Sequence, residues 1–99
     1  MKQINLSTEI ATPQLQAMFD TVGAGALLAG TVYSPLMQLV IAPAQQGEDA
    51  LVLWELAQKL YANRDGFVDL SPIEIDVLKQ KCQLISFPWL RARVLEILG

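Results

Sequence analysis

Residues 48–85, EDALVLWELAQKLYANRDGFVDLSPIEIDVLKQKCQLI, decide how this chain folds, and they read as two helices joined by a turn. In the first half Leu53, Leu56, Ala57, Leu60 and Tyr61 recur at the three-and-four spacing that gathers one face of a helix. Asp65-Gly66 stops it, with Gly66 expected as a left-handed terminator. Ser71-Pro72-Ile73-Glu74 then starts the second helix. A serine oxygen can accept from the first free N–H groups, proline suits the first helical position, and glutamate three residues after the serine closes a capping box. Ile75, Leu78, Cys82 and Ile85 are expected inward, with Asp76, Lys79, Gln80 and Gln83 left for solvent. Phe67–Leu70 reads as an extended link ahead of the cap.

The start of the first helix is apolar nearly all round, through Ala50, Leu51, Val52, Leu53 and Trp54. That pattern belongs either in a core or at a protein interface, and the core is preferred. The turn after it carries part of a calcium-loop pattern. Asn63, Asp65, Gly66, Val68 and Asp69 match inner positions of an EF-hand, but Tyr61 and Pro72 occupy the first and twelfth, where carboxylates are required, and the assignment fails.

N-terminal to this hairpin, residues 1–12 read as an extended arm, with an alternation at residues 3–10 that suits a short strand burying Ile4 and Leu6. Thr12-Pro13 opens a short helix to Asp20 carrying Leu15, Met18 and Phe19, and Thr21 can cap the next one. Residues 21–47 contain no charged side chain, and VGAGALLAGTVYSPLMQLVIA is long enough to cross a bilayer. Gly23, Gly25, Gly30, Ser34, Pro35 and Gln38 dilute its hydrophobicity, and its flanks are Asp20 and Glu48 rather than Lys or Arg. The preferred reading is a buried hairpin: a helix over residues 22–32, a break at Ser34-Pro35, and a second segment to Ala42 stopped by Pro43. At the other end Ser86-Phe87-Pro88 supplies a cap and a proline before a helix over residues 88–98, striped by Leu90, Val94 and Ile97. Arg91 and Arg93 are expected on its outer side with Lys79 and Lys81 nearby, a solvated basic edge lacking the aromatic or glycine interleaving of a nucleic-acid site.

The expected fold is therefore all-α, a compact single domain of four to five short helices with at most one N-terminal strand. The composition, 53% apolar and 17% charged, supports a core and leaves apolar surface that self-association would cover. Net charge is −3, with residues 47–76 at −5 and residues 77–99 at +3. With no histidine and Cys82 as the single cysteine, Ser-His-Asp triads, Cys/His zinc sites and intrachain disulfides are excluded. Cys82 reads as a buried structural thiol in a reducing cytoplasm, and MKQINLSTEI lacks the apolar run of a secretory signal. Asp65 and Asp69 form a carboxylate pair, but in a polar turn. No catalytic residue, cofactor or metal site is expected. Partner contact is assigned to Trp54, Phe67, Trp89, Arg91 and Arg93, aromatic and arginine side chains of the kind that anchor interfaces.

Leu56-Ala57, Leu60-Tyr61, the acidic turn, Val68, Leu70, Leu78-Lys79, Pro88, Val94 and Leu98, preceded by Thr21, Gly23 and Leu27, give residues 21–99 a pattern that resembles a group of small, uncharacterised proteins encoded in tailed-bacteriophage genomes. The glycine-containing N-terminal hairpin of that group is replaced here by Thr12-Pro13 and residues 14–19. The resemblance carries over no active-site residue; it implies a viral origin and a cytoplasmic role during infection. On this footing the expected function is non-enzymatic: binding to a host defence or metabolic protein and blocking it. A virion structural or assembly factor is the alternative, and a membrane-active lysis protein using residues 21–42 a further one.

Overall fold

The computed structural model describes residues 1–43 and 47–99. Strand β1 (Lys2–Asn5) is followed by helix α1 (Pro13–Asp20), a 3-10 turn (Gly25–Leu28), α2 (Tyr33–Ile41), α3 (Ala50–Ala62), β2 (Phe67–Leu70), α4 (Pro72–Lys81), a second 3-10 turn (Cys82–Leu84) and α5 (Pro88–Leu98). The fold is mostly helical, but Phe67–Leu70 is a strand rather than a link. It pairs antiparallel with β1 in the register Lys2↔Leu70, Gln3↔Asp69, Ile4↔Val68 and Asn5↔Phe67. The period of two explains the pairing. Ile4, Val68 and Leu70 all turn inward while Gln3, Phe67 and Asp69 stay outside, so the sheet has one apolar and one wet face.

The helix expected over residues 22–32 does not form. Gly23 and Gly30 take positive φ angles of 72° and 98°, which no α-helix accommodates, and only the 3-10 turn Gly25–Leu28 lies between them. Thr21 closes α1 instead of opening a helix, its hydroxyl donating to the Met18 carbonyl at 2.6 Å. The break expected at Ser34-Pro35 is absent as well. Both residues sit in the first turn of α2, where the missing proline N–H has no intrahelical partner to lose. Thr31 makes an isolated antiparallel bridge to Glu9, which ties the arm to this segment. No helix among the described residues is long and apolar enough to cross a membrane.

The α3–α4 hairpin follows the capping chemistry. Asp49 caps α3, accepting from the Leu51 N–H at 2.9 Å. Gly66 is not left-handed; α3 ends at Asn63 (φ −115°), whose side-chain amide donates to the Lys59 carbonyl. Ser71 and Glu74 form the reciprocal box: the Glu74 N–H donates to Ser71 Oγ at 3.2 Å and the Ser71 N–H to Glu74 Oε1 at 2.9 Å. Lys59 joins α3 to this corner, donating to Glu74 Oε1 at 2.7 Å and to the Asp69 carbonyl at 2.9 Å. Burial alone pushes the Glu74 carboxyl up, but the Lys59 and Ser71 hydrogen bonds and the Lys59 charge together outweigh it and hold the group below its ordinary value. A folded value below the unfolded one means that ionised Glu74 stabilises the fold above its unfolded pKa, and that this contribution is lost as pH falls through the folded one. Urea titrations across the acid range are therefore expected to show a steeper loss of stability for the wild type than for Glu74→Gln. Parallel curves would disprove the linkage.

The core runs from Ile4, Leu6, Val68 and Leu70 of the sheet and its flanks, through Leu36, Leu39 and Val40 of α2 and Leu56 and Leu60 of α3, to Ile75, Leu78, Cys82, Ile85, Val94 and Leu98. All four residues assigned inward on α4 and its extension are buried. Tyr61 is not; it lies one residue, about 100° of helical rotation, beyond Leu60 and stays exposed. Lys81 is a correction of the opposite kind. Expected on a basic edge, it is 1% exposed and pairs with Glu48 at 2.8 Å, which pins the entry to α3 onto the end of α4.

Candidate protein-contact surfaces

Helix α1 has no fully buried residue and rests on the outside of the molecule, so its apolar side chains must be accounted for elsewhere. Phe19 meets Trp89 of α5 edge to face, ring centroids 4.9 Å apart at 74°, and Phe87 lies against the same indole at 5.9 Å. Such pairs are worth about 0.5–1.5 kcal/mol beyond the area they cover. They set α1 beside α5 with a cleft of about 320 Å³ between them, flanked by Leu15 and Met18 on one side and Trp89, Ala92 and Glu96 on the other. Met18 remains exposed at the cleft, whereas Phe87, also exposed, borders a second concavity with Pro35, Leu39 and Leu90. Phe87 occupies the N-cap of α5 and supplies no side-chain cap, since Ser86 lies one residue outside the capping position; Pro88 alone marks the start.

The two arginines assigned to partner contact are turned to the chain's own backbone. Arg91 donates from Nε and Nη2 to the Ile85 carbonyl at 3.1 and 2.6 Å, closing the turn before α5. Arg93 donates to the Ile10 carbonyl at 2.9 Å and the Glu9 carbonyl at 3.0 Å, and pairs with Glu96 at 3.0 Å. Its side chain is only 13% exposed. These forks fasten the arm and the α5 entry, so both arginines act as positioning residues beside the cleft.

Trp54 and Phe67 are both exposed, on different elements. The core preference for the start of α3 is overturned: Leu53 is buried, but Leu51 and Trp54 stand outward. With Leu53, Leu56 and Leu60 on the inner stripe, Leu51, Trp54, Gln58 and Tyr61 form a second line on the opposite face. Arg64 follows the helix and stacks on Tyr61, its guanidinium carbon 4.3 Å from the ring centroid. Sequence spacing could have separated these two lines. It held no signal for the contact between Phe19 and Trp89, which lie far apart in the chain.

Polar chemistry is sparse. Cys82 is a buried free thiol that burial pushes up against a smaller opposing effect of Arg91, the reverse of an activated nucleophile. No group of three or more acidic or cysteine side chains converges among the described residues. The chain matches no family model, no curated protein and no solved structure.

Proposed function

We propose that this protein acts without catalysis, by binding another protein at the aromatic cleft between α1 and α5. The observation that carries the reading is the placement of Trp89: held edge-on by Phe19, flanked by exposed Phe87 and Met18, and bordered by a cleft. A rigid aromatic anchor beside a concavity, with Leu15 and Met18 among polar lining residues, is the kind of arrangement that concentrates binding energy at interfaces. The resemblance to phage-encoded proteins supports a host bacterial protein as the target, met in the cytoplasm and blocked by occupation of its surface. Nothing in the arrangement calls for a cofactor, a nucleic acid or a membrane.

Affinity capture from bacterial lysate tests this directly. The wild-type chain is expected to retain a stoichiometric partner, and Met18→Glu and Ala92→Glu to lower its affinity by about 10-fold or more, because a charge then enters the cleft from each wall. Both side chains are exposed, so the circular dichroism spectrum should be unchanged. Retention of the same partner by both variants would refute the cleft. Exclusive capture of phage head or tail proteins would favour the assembly-factor alternative.

A further inference from the structure

The outward line on α3 carries a separate inference. Leu51 is 71% exposed, Trp54 62% and Tyr61 55%. They follow each other along about 15 Å of helix, with Gln58 between Trp54 and Tyr61. Together the three expose on the order of 450 Å².

We infer that a second copy of this chain covers this stripe, α3 packing antiparallel on α3 about a two-fold axis that crosses the outer face midway between Trp54 and Gln58. The pattern is self-complementary under reversal. Leu51 of one copy comes opposite Tyr61 of the other and Trp54 opposite Gln58, so each bulky ring meets a smaller side chain. The helix dipoles run antiparallel in the same arrangement. Such a contact buries about 1,000 Å² in total, the lower bound for a specific interface, and weak association in the micromolar range is expected. Glu55 on the flank of the stripe meets its own copy near the axis and holds the affinity there. This surface shares no lining residue with the α1–α5 cleft, so the dimer and the partner-binding reading stand or fall separately.

Sedimentation of the purified protein alone over a micromolar concentration series tests the dimer. The mass is expected to rise from monomer to dimer, and Trp54→Glu to weaken association by about 100-fold. Leu51→Glu should act alike, and circular dichroism confirms that both variants are folded. A monomer throughout, or a dimer unaffected by both substitutions, would overturn the inference. Register is read by mixing Leu51→Cys and Tyr61→Cys proteins with a short bis-maleimide, Cys82 being buried. Crosslinks between position 51 and position 61 are expected. Crosslinks of position 51 to itself, about 15 Å apart in this packing, would reject it.

Discussion

Replacing Glu48 by alanine is expected to destabilise the fold by about 3–5 kcal/mol, a large share of the roughly 5–15 kcal/mol that holds a domain of this size together. The cost arises from what remains. Lys81 is 1% exposed, its ammonium sits 2.8 Å from Glu48 Oε2, and removal of the carboxylate leaves a cation with its charge partner gone in a site shut off from water. A smaller part, about 0.3–1 kcal/mol, comes from losing negative charge at the start of α3. Removing both charges should behave differently. Lys81→Met with Glu48→Ala fills a similar volume with no ion to desolvate, and is expected to recover most of the loss or exceed the wild type. Urea unfolding followed by circular dichroism gives all three values. A cost below about 1 kcal/mol for Glu48→Ala would mean that the Lys81 ammonium reaches solvent.

Leu56→Ala should cost about 2–5 kcal/mol. Leu56 is fully buried on the inner stripe of α3, within the core shared by α2, the sheet and α4, so the space it leaves is walled by elements that cannot all close on it. Gln58→Ala, two residues along on the outer face of the same helix, is expected to change stability by no more than about 0.5 kcal/mol. Comparable losses for the two substitutions, measured by the same unfolding titration, would show that α3 is rotated from the orientation described.

Much of this architecture is legible without coordinates because its causes are local. A serine, a proline and a glutamate in the right order specify the start of α4 through atoms within four residues of one another, and they form the expected capping box. Apolar recurrence puts Ile75, Leu78, Cys82 and Ile85 inside, as expected. Thr12-Pro13 likewise starts α1. The charge-free middle segment was legible only in part. Its apolar content reads as helix, yet two glycines with positive φ and a bridge from Thr31 to Glu9 turn it into a 3-10 turn and a link. Phe67–Leu70 became a strand only because β1 came back to pair with it, a non-local hydrogen-bonding choice.

The candidate surfaces divide in the same way. Composition and residue type, with aromatics and arginines in a chain poor in charge, determined that apolar surface would be left over and which side chains to suspect. Only the tertiary structure decided their roles. It turned Arg91 and Arg93 onto backbone carbonyls, buried Lys81 against Glu48, set Phe19 on Trp89 across the chain, and left Leu51, Trp54 and Tyr61 facing outward. A side chain's type fixes which contacts it can make. Which of them it does make depends on where helices packed for other reasons bring their flanks together, and that information is spread over the whole core rather than written beside the residue.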